Sequence, residues 1–174
     1  MPARRRTSSN GIVKARRRLG GLALFRKMMA GEVPRPPMTS LLNLRLLEAE
    51  EGRVVFGAVP ARSHYNGMGI VHGALAAALL DSALGCAVNT MAPPGKIFTT
   101  LEMKINFTRP LTREVGPVRC DARVLHMGRR VATAEGRVVD KRGVLYAHGT
   151  ATCILFLHSS GPAASRARVR HRPR

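Results

Sequence analysis

The chain has no tryptophan, two tyrosines and five phenylalanines among 174 residues, so aromatic side chains make up only 4% of it. Its core must therefore be built from small and aliphatic groups, and a chain of this length holds one domain with a sizeable core. Acidic residues are scarce as well: ten Asp and Glu stand against 29 Lys and Arg, a formal charge of +19. Cysteine is limited to Cys86, Cys120 and Cys153, odd in number and far apart. That excludes a disulfide framework and lacks the spacing of a metal site, and it predicts buried, reduced thiols. There is no Gly-x-Ser-x-Gly elbow for a serine nucleophile and no internal repeat. No secretory pattern is evident near the start, so the expected compartment is the cytoplasm; the Arg- and Ser-rich opening leaves a mitochondrial transit peptide as the alternative.

The positive charge is concentrated at the ends. Residues 1–40 carry ten Lys and Arg against Glu32 alone, 158–174 carry five Arg and no acid, and the body at 41–157 has fourteen basic and nine acidic residues. The body is thus only mildly basic. The ends could touch nucleic acid non-specifically through its phosphates, but the first 40 residues are read as holding one helix, too few for a helix-turn-helix.

Four segments are expected. Residues 1–13 form a disordered basic tail, 14–40 a helix and a Pro-rich linker, 41–157 the folded domain, and 158–174 a second disordered basic tail. Within 14–30, Leu22, Phe25 and Met29 recur at near-helical spacing, which predicts a short amphipathic helix packed on the domain edge, before the break at Pro34, Pro36 and Pro37. Two alternating segments, 42–49 and 53–59, predict a hairpin, followed by a polar loop at 60–68. A long apolar helix comes next, then four extended segments at 98–107, 118–126, 130–140 and 144–156. In the first of these, Leu101, Met103, Ile105 and Phe107 are expected to share one face. A helix apolar on nearly every side must be covered all round. The expected fold is therefore α+β, with a curved antiparallel sheet of about six strands wrapped around one central helix.

That helix holds the most informative residue. Between His72 and Lys96 the only charged side chain is Asp81, with Ala77, Ala78, Leu84 and Gly85 on adjacent turns. An unpaired charge in apolar surroundings is expensive unless it is used. A central Asp also costs about 2.5–3.5 kcal/mol on membrane-insertion scales, which argues against insertion of 73–92. Desolvation makes a carboxylate a stronger base, so Asp81 is expected to work as a general base in a dry setting. The neighbouring Ser82 is expected on another face of the helix.

The run Asn66-Gly-Met-Gly69-Ile-Val-His72-Gly73-Ala74, with Asp81 eight residues after Gly73, resembles the signature of hotdog-fold acyl-CoA thioesterases, closest to the phenylacetate-degradation (PaaI-like) type. The segment Thr99-Thr100-Leu-Glu-Met-Lys-Ile-Asn-Phe-Thr-Arg-Pro110 resembles that family's following strand. The likeness covers roughly residues 40–157. It implies a general base or nucleophile in Asp81, a carbonyl-polarising N–H at Gly73, and an Asn66 that positions water or thioester. It implies a supporting Thr100, with His72 beside the helix start, and a dimer or dimer of dimers with sites at the interface. The implied function is hydrolysis of an acyl-CoA, with CoA entering only as part of the substrate and no metal or other cofactor. One departure is Ala74, where the family usually has a second glycine, and its methyl is expected to bear on substrate preference.

Physical chemistry supports these roles separately. The first N–H groups of a helix have no intrahelical partner and face a developing oxyanion with the positive end of the helix dipole. Asn66 can accept from water and donate to it at once. Gly73 and Asp81 lie eight residues apart, about 12 Å along a helix at roughly 1.5 Å per residue. One carbonyl carbon cannot touch both, so the site must join Gly73 of one subunit to Asp81 of another. For CoA phosphates, Arg129 and Arg130 beside Gly128 are the leading candidates, with Arg109 and Arg62 behind them. Met68, Leu75 and Leu79 are expected to shape the acyl pocket. Two other readings stay open: a hotdog enoyl-thioester hydratase, which would need a His–acid pair that His64 and His72 do not suggest, and a non-catalytic acyl-CoA binder with nucleic-acid-binding tails.

Overall fold

The computed structural model describes residues 9–157, so the expectations for 1–8 and 158–174 lie outside the described residues. Six antiparallel strands make one sheet in the order β1-β2-β4-β5-β6-β3. They are β1 (Arg45–Glu50), β2 (Arg53–Ala58), β3 (Lys96–Phe107), β4 (Val118–Met127), β5 (Val131–Asp140) and β6 (Leu145–Leu157). The sheet curves around the long helix α4 (Gly73–Thr90), which touches every strand. Leu79, Leu80, Ala83, Leu84, Ala87 and Val88 of α4 are fully buried against Val54, Val118, Cys120 and Val138. Each large aliphatic side chain so buried contributes about 1.5–3 kcal/mol. The small, aliphatic core expected from the composition is present, and Cys120 and Cys153 are buried free thiols within it.

Tight turns fix the sheet. The β1–β2 turn uses Gly52 at φ +74° and the β5–β6 turn uses Gly143 at φ +82°, where a side chain would be strained. Asp140 organises the second turn: its Oδ1 accepts from the N–H of Arg142 at 2.8 Å and of Val144 at 2.9 Å. Burial by itself would raise this carboxyl, but the two N–H groups and the Arg142 guanidinium outweigh it and hold it below its ordinary value. Thr90 ties α4 to the hairpin, accepting from Gly52 N–H at 2.8 Å and donating to the Ala87 carbonyl at 2.6 Å.

Two elements differ from expectation. The single N-terminal helix is in fact two, α1 (Ser9–Arg18) and α2 (Gly21–Met29), so helix begins inside the segment expected to be a disordered tail. The break falls at Leu19–Gly20 because Gly21 must lie against the end of α4: its N–H donates to the Ala92 carbonyl at 3.0 Å, and a Cβ there would stand 1.5 Å from the Asn89 carbonyl oxygen. A short helix α3 (Pro37–Leu41) then follows the expected proline break.

In β3 the expected alternation fails at Leu101. The pairing with β6 runs Phe98↔Leu155 and Thr100↔Cys153, skips Leu101, and resumes Met103↔Ala151, Ile105↔Gly149 and Phe107↔Ala147. Leu101 is the extra residue of a β-bulge and is 58% exposed rather than inward with Met103. The bulge changes the inward positions from even to odd numbers. It leaves Thr100 facing α4.

Candidate active site

The loop before α4 is held by Asn66. Its main-chain N–H donates to the Ile70 carbonyl at 2.8 Å, while its Oδ1 accepts from Met68 N–H at 2.9 Å and Ile70 N–H at 3.4 Å. Both lone pairs of that oxygen are therefore occupied by the loop. Asn66 cannot both accept from and donate to water as expected; what it offers outward is its Nδ2 N–H group.

His72 is the N-cap of α4, with Nδ1 accepting from Ala74 N–H at 3.0 Å. Its imidazole is thus committed to the helix start, and among the described residues the Gly73 N–H is left without a protein partner. Ala74 is exposed and lines neither of the cavities described here, so its methyl does not narrow them. A cavity of about 380 Å³ opens in front of Gly73, lined by Asn66, Met68, Phe107, Arg109, Leu111 and Tyr146 among others.

Asp81 lies on a different wall of the molecule. Thr100 Oγ1 donates to its Oδ1 at 2.9 Å, an approach made possible by the β3 bulge. Within one subunit Asp81 is exposed rather than enclosed in dry surroundings. The reason is that it fronts a cavity of about 590 Å³, walled by residues of β1, β2 and β3 together with α2 and the segment leading into α3. Phe25, Phe56 and Phe98 line it, three of the five phenylalanines of the chain.

Ser82 lines the same cavity, contrary to expectation, because the opening spans neighbouring positions of the helix. Among the described residues no histidine lines that cavity, so Ser82 lacks a base to activate it. Cys86 also borders the cavity. Burial pushes its thiol up to about 12, with Arg16 opposing and Asp81 adding, so it is not a thiolate at neutral pH. Asp81 is the group there that can take a proton.

Of the binding candidates, Arg129 and Arg130 are exposed at the β4–β5 turn and line neither cavity; the Gly128 N–H donates to the Val131 carbonyl at 2.9 Å. Arg109 lines the Gly73 cavity while donating to the Leu145 carbonyl at 3.1 Å. Met68 borders the same cavity, 79% exposed. Leu75 and Leu79 are core residues and border neither cavity, which corrects their expected place in an acyl pocket. The cavity beside Asp81 is walled in part by residues of 14–40, among them Arg16, Phe25, Met28 and Val33. The near-helical spacing of Phe25 and Met29 signalled an apolar face, but nothing local signalled what it would face.

Asn66 and Gly73 thus share one cavity, Asp81 and Thr100 the other, and a single chain does not bring the four together. Comparison with known proteins places the fold. The thioesterase superfamily model matches residues 68–147. The phenylacetic acid degradation-related protein of Ralstonia eutropha has a similar structure, with TM-score 0.68 and 29% identity over 75% of this chain and 98% of that one. A mutant of the phenylacetic acid degradation protein PaaI from Thermus thermophilus gives TM-score 0.62 and 31% identity over 68% of this chain and 98% of that one. A Halobacterium salinarum protein described as a candidate esterase is 35% identical over 79 residues, 44% of this chain and 50% of that relative's length. The long helix on a six-stranded antiparallel sheet agrees with these likenesses: the chain belongs to the thioesterase superfamily, as a hotdog-fold member of the phenylacetate-degradation (PaaI-like) type.

Proposed function

We propose that the protein is an acyl-CoA thioesterase whose site is completed by a second copy of the chain. The observation that carries this reading is the division of the groups: an unpartnered helix-start N–H with an Asn donor in one cavity, and a carboxylate with its threonine in the other. An antiparallel pair of α4 helices would set each carboxylate against the partner's helix start. β3 supports such pairing, because it ends the sheet and carries Leu101 and Phe107 at 58% and 57% exposure. A homodimer, or a dimer of dimers, follows.

In this scheme Asp81 removes a proton from water, which adds to the thioester carbon. The carbonyl electrons move onto oxygen, where the partner's Gly73 N–H and Asn66 Nδ2 N–H hold the charge. Collapse breaks the C–S bond, and the proton on Asp81 passes to the departing thiolate. Should the carboxylate attack directly, a mixed anhydride would form on Asp81 as the thiolate leaves, and attack of ¹⁸O-water on the Asp81 carbonyl would leave label in that side chain. A hydratase reading gains no support from the histidines: Nδ1 of His64 accepts from Ala61 N–H at 3.1 Å and His72 caps α4.

The test is a turnover screen over short, long and aromatic acyl-CoAs, with Asp81→Asn alongside. General-base loss should lower kcat by roughly 10²–10⁴. Because Asp81 is exposed and makes one side-chain hydrogen bond, Tm should hold. Equal turnover by the variant, or none by the wild type on any acyl-CoA, would overturn the reading.

A further inference from the structure

The cavity beside Asp81 joins apolar side chains to three arginines, Arg16, Arg35 and Arg45. Of these, Arg16 comes from α1, and its guanidinium lies 6.0 Å from the centre of the Phe98 ring. Phe98 in turn rests on α4 at Gly85, where a Cβ would stand 2.3 Å from Cε2 of the ring. Arg16 is therefore seated over the Gly85–Cys86 turn. Its Nε is buried and has no hydrogen-bond partner. A buried donor of this kind is costly to leave unmade, and a charged one more so. Arg16 forms no ion pair with Asp81, although both line the cavity. The other two cations of the lining, Arg35 and Arg45, are exposed and already face water.

We infer that Arg16 is a specificity-determining residue, which receives an anionic group at the far end of the acyl chain. This rests on the proposed thioesterase reading and names the substrate class for the same site: monothioesters of dicarboxylic acids, or acyl groups that end in an equivalent anion. The reach follows from the helix. Asp81 and Cys86 are five residues apart, a rise of about 7.5 Å and a turn of about 140° around the helix, or about 9 Å between Cα atoms. With the thioester carbon at Asp81, a carboxylate some five or six bonds farther along meets the guanidinium. The methylenes between them lie against Phe25, Phe56 and Phe98. An anion at the guanidinium would give Nε the charge-assisted hydrogen bond it lacks.

Two sources could supply that anion, the acyl carboxylate or a phosphate of CoA. Thioesters of N-acetylcysteamine, which carry no phosphate, separate them. The experiment measures kcat/KM for adipyl, hexanoyl and phenylacetyl thioesters of CoA and of N-acetylcysteamine, in the wild type, Arg16→Met, Arg16→Lys, Arg35→Gln and Arg45→Gln, with Tm recorded for each. The expected result is a preference for adipyl over hexanoyl in both thiol series that falls roughly ten- to a hundredfold in Arg16→Met and returns in part in Arg16→Lys. An adipyl preference insensitive to Arg16, a loss confined to CoA thioesters, or an equal fall for all acyl groups would overturn the inference. So would a selectivity change that follows Arg35 or Arg45 instead. Failure of every thioester in the wild type refutes the thioesterase reading itself, whereas hexanoyl turnover without an adipyl preference refutes this inference alone.

Discussion

At the scale of the residue, Asn66 is a scaffold of its loop and, in the proposed scheme, also an oxyanion donor. Its oxygen holds the loop through Met68 and Ile70 N–H, and its nitrogen is what remains for substrate. Asn66→Asp should keep both loop contacts but present a charged oxygen where a donor is needed. The expected outcome is a kcat lower by roughly 10²–10³, the cost of one oxyanion donor, with little change in Tm; Asn66→Ala should lose both. Kinetics beside thermal melts check the pair. Asp140 gives a second prediction. Its carboxyl is held below the ordinary value of 3.8, so its contribution is present above that pH and drains away as pH falls through the lower folded value. Tm measured from about pH 6 to pH 3 should fall steeply in the wild type and more gently in Asp140→Asn, which has no such carboxyl to protonate. The placement of Gly73 at a helix start and of Asp81 within that helix was legible in sequence because it depends on local pattern alone. The exposure of Asp81 was not, because it depends on where the surrounding elements leave a cavity against α4.

At the scale of the element, periodicity found every strand and the central helix, since one-sided burial writes a two-residue pattern and all-round burial an unbroken apolar run. It failed where one tertiary contact outweighed local pattern. Gly20 and Gly21 divide the N-terminal helix because α2 sits with its backbone on the Asn89 carbonyl. In β3 a single extra residue, Leu101, changes the phase of the alternation, so a strand read as continuous has two halves of opposite parity. Gly85 is the contact most open to test. A Cβ there meets the Phe98 ring at 2.3 Å. Gly85→Ala gains about 1 kcal/mol of helix propensity but overpacks at about 1–3 kcal/mol. The expected net result is a loss of up to about 2 kcal/mol in denaturant titration, with Phe98 pushed into the cavity and KM raised most for bulky acyl groups.

At the scale of the whole molecule, each chain holds halves of two different sites, and the proposed dimer joins them crosswise. Mixing Asp81→Asn with Asn66→Ala, each nearly inactive alone, should restore about a quarter of wild-type activity, because half of a random mixture is heterodimer and each heterodimer has one intact site. No recovery after subunit exchange would place the whole site within one chain. The proposed dimer also predicts how damage would be inherited. A chain faulty only at Asp81 would still lend its sound helix start to a normal partner, so such an allele should be recessive. A chain faulty in both halves silences whatever normal chain it captures, and in excess it should act as a dominant negative.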